Sequence, residues 1–184
     1  MIAALSTAPG KGGIAVIRAS GEGVIETVSK LCGRDLAEVR SNSIVRVAIS
    51  DVDGKPLDDG MAAVFRAPRS FTGEDTVELS CHGGTFVVSA ILGELYRLGM
   101  RPAQAGEFTK RAFLSGKLGL SAAEGIADII DAGSREQLAL AVTQVNGGLG
   151  REFSRLPCHS GFFFIGPFGW DRPSLLCVTF SSTI

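Results

Sequence analysis

The sequence has almost no excess charge and no long apolar run, and each shortage excludes a class of protein. Its 184 residues carry a formal net charge of −1, so it lacks the surplus of Lys and Arg that nucleic-acid-binding proteins usually show. No stretch approaches the ~18 to 20 apolar residues of a membrane-spanning helix. The first residues also lack the basic start of a signal peptide. We therefore expect a cytoplasmic protein without membrane contacts, in which any RNA contact is local or made through a partner.

Cysteine is sparse, and its four copies are irregularly spaced, as is typical of reduced thiols in the cytoplasm. Two Cys-His pairs, Cys81-His82 and Cys158-His159, suggest a split zinc site. Adjacent residues on extended backbone point to opposite sides, however, and zinc ligands are usually at least two residues apart. We therefore predict no metal site and interpret His82 as part of a strand-to-helix turn. Gly83 and Gly84 leave the backbone there open to a close neighbour or ligand.

Glycine is abundant, and the run Gly10–Gly13 could cradle a phosphate through its backbone N–H groups. The full phosphate-loop pattern, with Gly-Lys-Ser/Thr after four free positions, is absent from the 184 residues. A strand-like run also follows the glycines, where a phosphate loop would lead into a helix. We favour a tight connection between strands over a nucleotide site.

Hydropathy alternates between a period of two and helical spacing over the first part of the chain, and Asp53-Gly54 supplies a hairpin turn. This alternation predicts an α+β fold, a mixed α/β domain. The expected strands are 2–5, 13–19, 45–49, 61–65 and 76–80, and the expected helices are 24–32, 87–98 and 108–114.

The pattern changes after this domain. Ser121 and Glu124 form a capping box that predicts the start of one long amphipathic helix ending near Val145. From Leu156 to Ile184 only Asp171 and Arg172 are charged, and the segment is rich in phenylalanine. An apolar segment of this kind promotes aggregation unless it docks on something. We predict domains at 1–118 and 119–150 and an unmatched apolar tail at 151–184.

Two side chains stand out as candidate ligand contacts. Glu78 alternates with apolar neighbours on a strand, so its carboxylate can accept two parallel hydrogen bonds from an amino-pyrimidinone edge. Lys117 follows the helix stop at Gly116, where its ammonium can reach an anionic ligand tail. We interpret the nearby Glu74 and Asp75 as a solvated turn.

Five motifs occur in order along the chain: Ala8–Arg18, Ser70–Asp75, Glu78–Gly84, Gly106–Leu114 and Ala123–Ala132. Together they resemble the N-terminal part of the tRNA modification GTPase family MnmE, also called TrmE. The resemblance implies a dimerising domain that binds a tetrahydrofolate derivative, similar in fold to folate-binding aminomethyltransferase domains and followed by a long helix of a helical domain.

The family resemblance also implies a reaction and its partners. With the flavoprotein MnmG, the family places a carboxymethylaminomethyl-type group on carbon 5 of the wobble uridine of tRNA. 5-Formyltetrahydrofolate or 5,10-methylenetetrahydrofolate supplies the one-carbon unit, and GTP hydrolysis with Mg²⁺ and K⁺ drives the cycle. The family's folate-contacting residues fall on Arg18, Glu78 and Lys117. No catalytic residue is assigned.

The resemblance ends near Gly150, and the family's phosphate loop and GTPase switches do not occur in the sequence. We therefore expect a truncated family member that does not hydrolyse GTP alone. Two alternatives stay open: a non-catalytic dimerisation module that pairs with full-length subunits, and an inactive, poorly folded product.

Overall fold

The computed structural model describes residues 1–147 of the chain. These residues divide into two compact units, Met1–Ala123 and a second unit that begins at Glu124. In chain order the elements are β1 (Ile2–Leu5), β2 (Ile14–Ser20), α1 (Val24–Ser29), β3 (Ser43–Ser50), β4 (Pro56–Phe65), β5 (Thr76–His82), α2 (Thr85–Arg97), β6 (Arg101–Pro102), α3 (Glu107–Leu114), α4 (Leu120–Asp131) and α5 (Arg135–Val145).

The first unit is built on a six-stranded sheet in the order β3-β4-β5-β2-β1-β6. All neighbouring strands are antiparallel except β1 and β6, which are parallel. The β3–β4 hairpin turns at Gly54, as the sequence indicates. The mixed α/β architecture is therefore confirmed, while the likeness to aminomethyltransferase domains stays a prediction.

One face of the sheet carries the hydrophobic core, because alternate strand residues point to the same side. Ile17, Val64 and Leu79 are almost fully buried on three adjacent strands. Ile25 of α1 and Ile91 of α2 are also fully buried in this core. The opposite face is left for polar and partly exposed side chains, and the candidate site lies there.

The prediction of one long helix after residue 120 is wrong. The chain forms α4 and α5, which are separated at 132–134. Gly133 is a weak helix former, and the Ser134 side chain caps α5 by accepting a hydrogen bond from the Gln137 N–H. The capping box at Ser121 is wrong as well, because α4 begins one residue earlier.

Several element boundaries also differ from the predictions. Helix α1 ends at Ser29, before the predicted stop at Gly33, and β4 begins at Pro56, five residues before the predicted start. The two-residue strand β6 was not predicted, because a strand so short carries no periodicity. The predictions for the tail at 151–184 lie outside the described residues. Within 1–147, no helix combines the length and the apolar character needed to cross a bilayer.

Candidate functional site

The site centres on Arg18 and Glu78, which pair directly across β2 and β5. Nε of Arg18 donates to Oε1 of Glu78 at 2.8 Å, and a guanidinium Nη2 lies 2.8 Å from the same oxygen. Both side chains are 26% exposed, so the pair is partly shielded from water. Among the described residues no hydrogen bond reaches Oε2 of Glu78. That oxygen is available to a donor from a ligand.

Two aromatic rings hold the Arg18 guanidinium in place. Its Cζ lies 5.2 Å from the centroid of the Phe71 ring and 5.5 Å from that of Phe108. A cation within about 6 Å of a ring centroid is attracted to the face of the ring. Phe71 and Phe108 were not among the predicted site residues, although both lie inside the quoted motifs. Their shared contact with Arg18 depends on packing and has no local signal in the sequence.

A chain of ion pairs anchors the elements that carry these rings. Arg111 of α3 donates to both carboxylate oxygens of Glu74 and also contacts Glu107. Glu74 accepts a further bond from Ser20 at the end of β2. The expectation of a solvated turn is therefore wrong for Glu74, because this loop folds back onto the sheet. The pairs fix α3 and the 70–75 loop beside Arg18.

Lys117 follows α3 and makes its hydrogen bond outside the Arg18–Glu78 pair. Its Nζ donates to the carbonyl of Pro68 at 2.9 Å, close to the loop that carries Phe71. The loop packs closely against Ser115 at Gly73. This glycine has a φ of +80°, and a Cβ added to it would lie 2.7 Å from the Ser115 hydroxyl. Arg18 and Glu78 are thus brought together, and Lys117 is placed beside the loop that carries Phe71, with its side chain exposed.

Glu107 is the most strongly perturbed carboxylate of this cluster. Hydrogen bonds from Arg101 and the Gln104 backbone N–H lower its pKa to about 2, from a usual value of 4.5. A carboxylate with a depressed pKa stabilises the fold above its unfolded pKa, and that contribution is lost as the pH falls through the folded pKa. Stability from Glu107 should therefore decline between pH 4.5 and pH 2.

We expect Glu107→Gln to lower the free energy of unfolding by about 2 kcal/mol at pH 7, because charged hydrogen bonds are lost at a buried position. The difference from the parent chain should narrow as the pH falls towards 2. Urea denaturation of both chains at several pH values from 7 down towards 2 measures this difference in the free energy of unfolding. Glu26→Gln on exposed α1 surface removes the same charge and should change stability by less than about 0.5 kcal/mol. A difference that does not depend on pH would contradict the assignment.

A second polar group lies at the end of β5. Nδ1 of His82 is 2.7 Å from Oδ1 of Asp58, and this hydrogen bond raises the pKa of His82. The Gly12 N–H donates to the carbonyl of Gly83 at 3.1 Å. The close neighbour expected at Gly83 is therefore the glycine-rich turn itself. Burial raises the pKa of the neighbouring Cys81 thiol to about 11. Within residues 1–147, no three His, Cys, Asp or Glu side chains form a group that could hold a metal ion.

Fold and site together define a mixed α/β domain that presents an Arg–Glu pair on the partly exposed face of its sheet, with two aromatic rings against the arginine. Residues 1–117 match the family model described as "GTP-binding protein TrmE N-terminus". The chain belongs to this family.

Curated relatives agree with the family assignment. The chain is similar to the tRNA modification GTPase MnmE of Parabacteroides distasonis, with 45% identity over 160 residues, 84% of this chain and 35% of the relative. MnmE of Neisseria meningitidis serogroup B is 44% identical over 155 residues, 84% of this chain and 34% of the relative. MnmE of Paramagnetospirillum magneticum is 50% identical over 148 residues, 80% of this chain and 33% of the relative. The chain thus spans about a third of the length of these relatives.

Proposed function

We propose that residues 1–118 bind a tetrahydrofolate derivative, either 5-formyltetrahydrofolate or 5,10-methylenetetrahydrofolate. The observation that carries this proposal is the Arg18–Glu78 pair, which leaves one carboxylate oxygen free and whose guanidinium contacts two aromatic rings. A folate has a pterin edge of N–H donors, flat aromatic groups and a carboxylate tail. Each of these parts has a chemical counterpart in the site.

The roles follow from the chemistry of the side chains. Oε2 of Glu78 accepts from one N–H of the pterin edge and the second lone pair of Oε1 accepts from the other, since an ionised carboxylate makes strong bonds with such donors. Arg18 stays paired with Oε1 and orients that carboxylate. Phe71 and Phe108 offer apolar faces beside the ligand, and Lys117 attracts its carboxylates. When bound, the folate supplies a one-carbon unit.

We further propose that the chain acts in tRNA modification in the cytoplasm, as a homodimer and with the flavoprotein MnmG. The support is the family membership and the relatives, which are named as tRNA modification GTPases. Dimerisation is favoured by apolar residues on the open face of the sheet, where Ile14, Ile44 and Met61 are exposed by 72%, 66% and 40%. GTP, Mg²⁺ and K⁺ are not part of the ligand set that we propose for this chain, because its 184 residues contain no phosphate-loop pattern.

Calorimetry with 5-formyltetrahydrofolate tests the proposal, together with sedimentation to determine the mass. We expect saturable binding at one site per chain in a species of two chains. A folded dimer that binds no folate would contradict the ligand assignment and support the alternative of a non-catalytic interaction module. A folded monomer that binds folate would leave the ligand assignment standing and remove dimerisation.

A further inference from the structure

A cleft of about 520 Å³ lies beside the loop of the candidate site and is lined by two arginines and their polar neighbours. Arg40 and Arg69 face it together with Ser41, Asn42 and Ser43. Both arginines are exposed, and in the described part of the chain neither takes part in an ion pair. Two cations that share a cleft without a carboxylate partner repel each other, and an anionic ligand removes that repulsion.

Hydrogen bonds within the fold hold the walls of this cleft. The guanidinium of Arg66 donates to the carbonyls of Ala37 and Val39, and its backbone N–H donates to the Ser41 hydroxyl oxygen. The Asn42 N–H donates to the carbonyl of Val64 at the end of β4. These bonds fix the 37–42 loop against the strand that leads to Arg69. Arg40 and Arg69 are therefore presented together by the folded backbone.

The cleft is close to the proposed folate site. Arg69 of the cleft lies two residues before Phe71, whose ring centroid is 5.2 Å from Cζ of Arg18. On the loop side, Lys117 contacts the carbonyl of Pro68, the residue before Arg69. Arg69 of the cleft is thus the chain neighbour of the residue that Lys117 contacts.

We propose that this cleft binds the γ-glutamyl carboxylates of a folate polyglutamate, with Arg40 and Arg69 as the binding residues. The inference rests on the proposed function, since the pterin must be held at Glu78 for its tail to extend this way. Several carboxylates in a row match two unpaired guanidinium groups, each of which can bind a carboxylate through two parallel bonds. The near-neutral charge of the whole chain favours this short anion over a long phosphodiester backbone.

The test compares the monoglutamate and triglutamate forms of 5-formyltetrahydrofolate on the full chain by calorimetry. The triglutamate should bind about tenfold more tightly at low salt, and this gain should shrink as salt is added. In the double variant Arg40→Gln with Arg69→Gln the gain should fall below about twofold, while the monoglutamate affinity is kept. Arg34→Gln is the matched control, because it removes one exposed charge outside the cleft and should leave the gain intact.

Unchanged monoglutamate binding in the double variant also shows that the variant is folded. The inference alone is overturned if the monoglutamate binds but the triglutamate brings no gain, or if the gain persists in the double variant. A persistent gain with weakened binding of tRNA would assign the cleft to phosphodiester groups instead. Absence of binding by either folate form overturns the proposed function and this inference with it.

Discussion

Glu78→Ala is expected to lower the affinity for 5-formyltetrahydrofolate by about 100-fold, because it removes charge-assisted hydrogen bonds to the pterin edge. It also leaves the Arg18 guanidinium without its carboxylate partner. Glu78→Gln keeps the shape of the side chain but replaces an accepting oxygen with an NH₂ group, which opposes the donors of the ligand. We expect the Gln variant to lose affinity as well. Calorimetry at fixed pH and salt measures both.

Two comparisons separate loss of the ligand contact from loss of the fold. Glu22→Ala removes an exposed carboxylate outside the site and should bind folate like the parent chain. Circular dichroism should show the same secondary structure for all three variants, because Glu78 lies on the partly exposed face of the sheet and not in the core. If Glu78→Ala bound 5-formyltetrahydrofolate as tightly as the parent, the pterin would have to be recognised elsewhere.

Gly60→Ala should destabilise the domain by about 3 kcal/mol, the largest stability effect that we expect from a single methyl group. Gly60 lies in β4, and a Cβ added there would be 2.1 Å from the backbone carbonyl oxygen of Ser80 on β5. A backbone oxygen in a paired strand cannot move away as a flexible side chain can. The two strands must therefore separate locally, which weakens the pairing next to Glu78. Urea denaturation gives the change in the free energy of unfolding.

The same substitution at Gly93 provides a matched control with the opposite sign. Gly93 lies inside α2, and a Cβ added there would meet no atom within 4 Å. Because alanine is a better helix former than glycine, Gly93→Ala should stabilise the domain by about 1 kcal/mol. Equal stability of the Gly60→Ala variant and the parent chain would mean that β4 and β5 are not held at the register described here.

Strand prediction succeeded where burial imposes a strict alternation. On β5, Val77 and Leu79 are buried while Glu78 is half-buried, as the sequence indicates. Prediction failed where residues that break a helix interrupt a continuous helical pattern of apolar positions. Residues 120–145 have helical spacing throughout, yet Gly133 and Ser134 end one helix and begin another. Hydropathy periodicity does not register a break of this kind, because the apolar positions continue on both sides of it.

The candidate site was predicted only in part. Arg18, Glu78 and Lys117 were assigned through the family resemblance, and only Glu78 and Lys117 also stood out from their residue type and position. Glu74 looked like an ordinary solvated residue beside a strand, but Arg111 and Ser20 make it a structural partner. Because its partners come from segments distant in sequence, no local pattern predicts them.

The sequence by itself determined the strand alternation, the family and the placement of Glu78 on the polar side of β5. Only the tertiary structure decided that Arg18 is the partner of Glu78, that Phe71 and Phe108 lie beside it, and that Arg40 and Arg69 share one cleft. The physical reason is the distance along the chain over which each kind of interaction acts. Periodicity and turn preferences act over a few neighbouring residues, whereas strand register and loop packing are set when distant segments bury the same core.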